Sequence, residues 1–317
     1  MKKISYLIGL FVFTICLVSC EDEIPIKDLG IKPKLVLHCF ISPQYDTIAV
    51  SLSRSQSIFQ NGTTSAEVEY AVVEISNNNK SWIQIPYSTE NNCYLLPQSQ
   101  FPIVEGKTYY IRASSPNYES ISASCTVPFW REVDLKPKRE PDSEYGIPVV
   151  DNTLLLLSWQ DYPNEKNYYA FMECYDVRFD DEFYSSFDYI EDENRKVVFS
   201  DEGKDGQRMN VLIENIKDYL DLFFFYDSVY ILAIQTDRNC FLYENSVYSY
   251  ASGYQMEDFE SVFMLEPSLV YNNIKNGYGV FGALTFKPYI VNFIQKTVEE
   301  VEIPRQSFKT SKQYPFR

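Results

Sequence analysis

The chain has 317 residues and carries 44 acidic against 28 basic side chains, which gives a formal net charge of −16. A charge of this sign repels phosphate backbones, so the composition argues against nucleic acid as a partner. The hydrophobic share of 45% is normal for a chain that buries a core, so a wholly disordered protein is excluded as well.

The N-terminus has the pattern of a secretory signal over residues 1–19. Two lysines precede an apolar run at residues 6–18, which is too short for a stable transmembrane anchor. The run ends in Leu-Val-Ser-Cys at 17–20, which resembles the lipobox of bacterial lipoproteins. This resemblance implies cleavage before Cys20 and acylation of Cys20; three acyl chains, at about 0.8 kcal/mol per buried CH₂, make a permanent anchor. The alternative is an ordinary signal peptide in which Cys20 has no special role.

Composition and turn signals divide the rest of the chain. Residues 20–33 are acidic and then mixed, with two prolines, and predict an extended tether. Residues 34–128 contain about seven short strands with turn signals roughly every 8–12 residues, typical of an immunoglobulin- or fibronectin-like antiparallel β-sandwich. Charge and proline mark residues 129–152 as a linker. Residues 153–300 form a second β-rich, sandwich-like domain, and residues 301–317 are a loose tail.

Two features stand out inside the second domain. Apolar residues at 241, 242, 247, 248 and 251 indicate a short helical insertion over residues 241–254. The acidic and aromatic stretch 180–194 is predicted to be a solvated loop, with a calcium site or a contact to a basic partner as the alternatives. Its spacing lacks the alternating oxygen ligands and central glycine of an EF-hand loop.

The cysteines suggest one disulfide. Of seven cysteines, Cys16 leaves with the signal and Cys20 carries the lipid, so five remain, with no metal-binding spacing among them. Cys39 opens the first domain and Cys125 closes it. Because first and last strands often neighbour one another in sandwiches, Cys39–Cys125 is the predicted pair in an oxidising compartment. Buried free thiols are the alternative.

The sequence carries no catalytic or cofactor motif. His38 is the one histidine, and because it lies inside the first apolar strand we expect it to pack rather than to catalyse. Zinc-binding CxxC and HExxH patterns and the phosphate-binding GxGxxG and GxxxxGK[ST] patterns are missing. The sequence therefore predicts no catalytic residue, no metal and no cofactor. A pair of carboxylates for glycoside hydrolysis has no sequence signature, so that alternative stays open.

A glycine-rich turn is the least ordinary stretch of the chain. Three of the 11 glycines lie within six residues, between an asparagine-rich segment and a strand. Glycine permits positive φ and close backbone approach, so Asn276, Gly277, Tyr278 and Gly279 are a candidate interaction turn. A bulged entry into the strand is the structural alternative.

Five stretches in order carry a resemblance to a known family. They are Cys20 followed by the acids Glu21, Asp22 and Glu23, and the segments 33–37, 106–110, 161–169 and 272–283. In these the chain resembles the family catalogued as domain of unknown function 4249, a set of outer-membrane lipoproteins from Bacteroidota. The resemblance covers nearly the whole chain and implies no established activity.

The same resemblance implies a partner and a location. Members of the family accompany TonB-dependent receptors of the outer membrane, and Glu21-Asp22-Glu23 resembles the acidic signal that exports lipoproteins to the cell surface. We therefore expect a non-enzymatic accessory or ligand-capture subunit of a TonB-dependent β-barrel transporter, anchored in the outer membrane through Cys20. The alternatives are a carboxylate-based glycan hydrolase and a free-standing glycan-binding lipoprotein. For the latter the candidate platforms are Trp82, Trp130 and Trp159, the last expected in the core.

Overall fold

A computed structural model of the chain describes residues 32–55, 67–139, 153–179, 182–189, 198–213, 228–254, 269–292 and 297–300. The signal, the tail and the predicted anchor residues Cys20, Glu21, Asp22 and Glu23 lie outside these ranges. Within the described residues, no helix is both long and apolar enough to cross a membrane.

Eight strands make up the N-terminal half of the described chain. They are β1 (Leu35–Ile41), β2 (Thr47–Arg54), β3 (Val72–Ser76), β4 (Ile83–Ile85), β5 (Tyr87–Ser88), β6 (Cys93–Pro97), β7 (Thr108–Ser114) and β8 (Ile121–Thr126). Strands β4-β3-β7-β8 form one sheet, and β1-β2-β6-β5 are part of a second. In β7 the buried Tyr109, Ile111 and Ala113 alternate with more exposed residues, the period of two that places one face of a strand in a core.

The C-terminal half adds nine strands and one helix to the described residues. They are β9 (Val133–Arg139), β10 (Thr153–Gln160), β11 (Tyr168–Phe179), β12 (Glu182–Tyr189), β13 (Val198–Ser200), β14 (Arg208–Ile213), β15 (Ser228–Thr236), α1 (Arg238–Tyr254), β16 (Tyr278–Asn292) and β17 (Thr297–Glu300). Strands β14-β10-β9 form a three-stranded sheet, and β12, β11, β15 and β16 extend the second sheet. The prediction of a mainly β, sandwich-like fold with a short helical insertion is confirmed.

The middle of strand β15, residues 231–234, is a continuous apolar run because both of its faces are buried. Ile231 and Ala233 point into the core that contains Trp159 of β10, whereas Leu232 and Ile234 point into the core beneath α1. A strand that is buried on both faces reads as a continuous apolar run rather than as an alternation.

Strand β16 joins the two halves into one sheet. Its first part pairs in parallel with β1, with Leu37 opposite Gly279, and its second part pairs antiparallel with β15, with Thr236 opposite Leu284. A ten-stranded sheet therefore runs through both halves, and the described residues from Pro33 onward belong to one compact unit. The core of the N-terminal sandwich also takes in Phe281, from far outside the predicted first domain.

Two stretches that we predicted to be irregular contain strands. Residues 133–139, inside the predicted linker 129–152, form β9 and pair with β10. Residues 182–189, inside the predicted loop 180–194, form β12 and pair with β11. In both, apolar or aromatic β-forming residues lie among charged residues, and β9 also contains a proline, so the composition of each stretch resembles that of a loop.

The predicted Cys39–Cys125 disulfide is not present. Both residues are buried free thiols, as are Cys93 and Cys240. The inference failed because β1 and β8 belong to different sheets, so they are not neighbouring strands. Burial raises the pKa of the Cys39 and Cys125 thiols, which keeps them protonated and unreactive.

Candidate functional site

The candidate site is built along β8, the edge strand of the four-stranded sheet. The backbone edge of β8 that does not pair with β7 is hydrogen-bonded to groups from outside the sheet. Lys275 exchanges two backbone bonds with Ser122, of 2.8 and 3.4 Å, and Asn239 Nδ2 donates to the Ser124 carbonyl at 3.1 Å. Because its backbone groups are paired in this way, β8 does not offer an edge for another strand.

The asparagine-rich segment that covers β8 is held by its own side chains. Asn273 clamps the backbone of Phe281: its Nδ2 donates to the Phe281 carbonyl at 2.8 Å, and its Oδ1 accepts from the Phe281 N–H at 2.9 Å. Asn272 closes the turn by accepting from the Ile274 N–H at 2.9 Å. Asn276, which has a φ of 63°, donates to the Ser120 carbonyl at 3.3 Å. The segment is therefore a fixed wall.

The two glycines of the predicted interaction turn have a packing role. A Cβ on Gly277 would lie 2.6 Å from the Leu35 carbonyl oxygen, and a Cβ on Gly279, at a φ of +108°, would overlap the carbonyl of Leu37. Glycine is therefore required for β16 to lie beside β1. Tyr278 between them is 47% exposed, with the Lys34 ammonium 5.3 Å from its ring centroid. An interaction role for this turn stays a prediction.

Asp237 connects the wall to α1, and the sequence analysis missed it. Its Oδ1 accepts from the Cys240 N–H at 2.9 Å, as an N-cap does, so α1 begins three residues before the predicted start at 241. Part of the residue is accessible to solvent, but its carboxyl group is enclosed. Burial raises the pKa of Asp237 to about 7, although N–H groups of Cys240, Ala283 and Thr126 counteract this by stabilising the carboxylate. The signal was available as an aspartate just before the helical pattern.

An open cleft of about 430 Å³ lies between this wall and the outer face of the four-stranded sheet. The residues that line it include Trp82, Tyr110, Ser122, Ser124, Asn273 and Lys275. None of the described residues that line it is an aspartate, a glutamate, a histidine or a cysteine. The cleft therefore combines aromatic, hydroxyl and amide groups with one ammonium.

The three tryptophans have three different environments. Trp159 is 1% exposed and lies in the core, as predicted. Trp130 is partly buried, and the Lys287 ammonium lies 5.6 Å from its ring centroid. Trp82 lines the cleft, stacked 4.2 Å from the guanidinium of Arg112. Of the candidate platforms, Trp82 is the one that the structure places in an open cleft.

A second cluster, which the sequence analysis also missed, consists of three aspartates. Oxygen atoms of Asp161, Asp201 and Asp205 lie within 4.8 Å of one another. Asp161 accepts hydrogen bonds from Tyr169 Oη at 2.8 Å and from the Gly206 N–H at 2.9 Å. Such carboxylates could hold a hard cation. The hydrogen bonds that Asp161 accepts also have a structural effect, because they tie the loop that contains Asp161 to the loop that contains Asp201 and Asp205. The closely spaced Asp201 and Asp205 were its available signal.

Asp201 and Asp205 border a further cleft of about 580 Å³. Glu165, Asp201, Asp205, Tyr168, Phe241 and Arg238 are among the residues that line it. The rings of Tyr168 and Phe241 pack against each other with centroids 4.7 Å apart. This cleft is acidic, in contrast to the first.

His38 packs as the sequence predicted. Its ring meets that of Tyr243 edge-on at a centroid distance of 5.8 Å, and burial lowers its pKa. The imidazole of His38 therefore packs on a central strand, and its lowered pKa favours the neutral form.

The fold and these clefts define a class: a β-sandwich protein with a preformed open cleft beside a covered strand edge. Residues 21–289 match the family described as domain of unknown function (DUF4249), and the chain belongs to that family. No curated protein matches the chain.

Proposed function

We propose that the protein is a surface-exposed lipoprotein of the outer membrane, a non-enzymatic subunit that captures a ligand for a TonB-dependent transporter. The lipobox at residues 17–20 supports the lipid anchor on Cys20, and Glu21-Asp22-Glu23 supports export to the surface. The transporter partner rests on the resemblance to lipoproteins that accompany such barrels.

The observation that carries ligand capture is the cleft along β8. Its wall is fixed before any ligand arrives, because the amides of Asn273 and Asn239 are already bonded to neighbouring groups. A preformed cleft with a few polar groups and aromatic rings is the usual form of a binding site. Because its described lining offers no carboxylate, imidazole or thiol, it is suited to holding a molecule rather than to changing it.

The anchor is tested by labelling cells with radioactive palmitate. We expect label in the wild-type protein and none in Cys20→Ser, whereas Cys16→Ser, which removes the cysteine four positions earlier, should be labelled like the wild type. Label in Cys20→Ser, or no label in the wild type, would rule out the anchor.

The partner is tested by purifying the tagged lipoprotein from its own outer membrane in mild detergent, with mass spectrometry of the eluate. We expect a β-barrel transporter in a stoichiometric amount. A protein that elutes alone would refute the accessory role and favour a free-standing binder.

A second candidate function, a carboxylate-based glycan hydrolase, is favoured by the acidic cleft. Oxygens of Asp201 and Asp205 lie within 4.8 Å, close to the separation of about 5 Å between the acids of a retaining glycosidase. This hypothesis predicts that new reducing ends appear from surface glycans and that Asp205→Asn abolishes them while the nearby Glu202→Gln does not. Our proposal expects no reducing ends from any of the three proteins.

A further inference from the structure

The cleft along β8 contains polar groups that are not needed to hold the protein together. The Asn273 amide is used by Phe281, and Asn239 accepts from Tyr271 Oη at 2.9 Å and donates to Ser124. By contrast, no other described residue bonds to the Lys275 ammonium or to the hydroxyls of Ser122 and Ser124. These groups are therefore available to a ligand.

The free groups are arranged along one sheet face. Tyr110 of β7 is directly opposite Ser124 of β8, so ring and hydroxyl are cross-strand neighbours. Trp82 is oriented by Arg112, which is itself fixed by an ion pair of 2.7 Å with Glu74. Aromatic surfaces beside hydroxyl and amide groups match a ring that has an apolar face and polar edges, as a pyranose sugar does.

Lys275 places a positive charge in the cleft and so favours a ligand that carries a negative one. Lys275 is the one cation among the described residues that line the cleft, and no described carboxylate pairs with its ammonium. The neighbouring Arg112, by contrast, is already paired with Glu74. An ammonium in a partly enclosed cleft is best complemented by a ligand anion.

An acidic peptide and an acidic saccharide could each complement the Lys275 ammonium, and the hydrogen-bonded edge of β8 distinguishes between them. An extended acidic peptide would normally add to a sheet through backbone hydrogen bonds. The edge of β8 is already bonded to Lys275 and Asn239, so that mode is closed at this cleft. Recognition must therefore go through side chains and ring faces.

We propose that this cleft binds a saccharide that carries a carboxylate, with Trp82 and Tyr110 against the sugar ring and Lys275 on the carboxylate. The inference rests on the ligand-capture function above and names the class of its ligand.

The test measures binding to the detergent-solubilised, full-length lipoprotein by calorimetry, with trigalacturonate as the acidic probe and galactotriose as its neutral counterpart. We expect trigalacturonate to bind at least tenfold more tightly than galactotriose, with an affinity that falls as salt is added. Lys275→Met should remove this preference, whereas Lys107→Met, which replaces an exposed lysine that does not line the cleft, should leave it intact.

Two further variants test the ring contact. Trp82→Ala should weaken both saccharides at least tenfold, and Ser122→Leu, which places a bulky side chain in the cleft from an exposed strand position, should block both without touching the core. Thermal unfolding of each variant shows whether it is folded. Binding of neither saccharide, or binding that Lys275→Met and Ser122→Leu leave unchanged, overturns the proposal.

An acidic peptide, tetraglutamate, is the competing probe. If it binds as tightly as trigalacturonate and depends on Lys275 but not on Trp82, the cleft is a peptide site and the saccharide assignment is wrong. The same variants should still copurify with the transporter, because the cleft is not the proposed contact with the barrel. A missing barrel refutes the accessory function, whereas unchanged copurification without saccharide binding refutes the ligand class alone.

Discussion

Replacing Asp237 by asparagine should change how the stability of the protein depends on pH. The carboxyl group caps α1 and also meets β8 and β16 through the N–H groups of Thr126 and Ala283. Asparagine has nearly the same shape and is an equally good N-cap, so the bond from the Cys240 N–H is kept. Asparagine does not titrate, so Asp237→Asn removes the ionisation and leaves the cap.

The direction of this pH dependence follows from the raised pKa of Asp237. Burial moves the pKa of Asp237 from 3.8 to about 7 in the folded protein. Between these two values the folded state holds a proton that the unfolded state has lost, so the free energy of unfolding decreases as pH rises. Each pH unit inside the window changes that free energy by at most about 1.4 kcal/mol. From pH 4 to pH 7 the loss therefore reaches at most about 4 kcal/mol.

Urea unfolding of the wild type and of Asp237→Asn at several pH values between 4 and 8 measures how the free energy of unfolding depends on pH. We expect Asp237→Asn to gain stability relative to the wild type as pH rises, by a few kcal/mol over the window, and the gain should level off within about one pH unit above 7. Glu90→Gln, which removes an exposed carboxyl group, is the control and should run parallel to the wild type. A constant difference between wild type and Asp237→Asn at all pH values would refute the reasoning.

Two further predictions concern packing, and urea unfolding checks both. Gly279→Ala should lower the free energy of unfolding by more than about 3 kcal/mol, because the added Cβ overlaps the Leu37 carbonyl. The control, Gly203→Ala, has a φ of +76° but open space around it and should lower that free energy by about 1–2 kcal/mol. Equal losses in the two variants would contradict the argument that β16 and β1 approach closely at Gly279. Tyr169→Phe removes a 2.8 Å hydrogen bond to the buried Asp161 carboxylate and should cost about 1.5–3 kcal/mol. The exposed Tyr162→Phe should cost little, and an equal loss there would show that the Asp161 bond is not the cause.

Local patterns in the sequence were enough to find most strands. The β-rich character of residues 34–128 and 153–300 was predicted correctly, because alternation or a continuous apolar run shows in a few consecutive residues. Strands β9 and β12 were missed because charged residues, and in β9 also a proline, hide the same pattern. Whether such a segment becomes a strand depends on its partner, here β10 and β11, which no local window contains.

The candidate site likewise has features that follow from neighbouring residues in the sequence and features that depend on the fold. The sequence by itself determined the lipobox-like pattern at residues 17–20, the glycine-rich turn and the absence of familiar catalytic motifs, since each is a property of neighbouring residues. Only the tertiary structure decided that the turn covers β8, that Cys39 and Cys125 lie on different sheets, and that three aspartates meet. The physical reason is that β-sheet hydrogen bonds and buried contacts join residues from opposite ends of the chain, as in the pairing of Leu37 with Gly279.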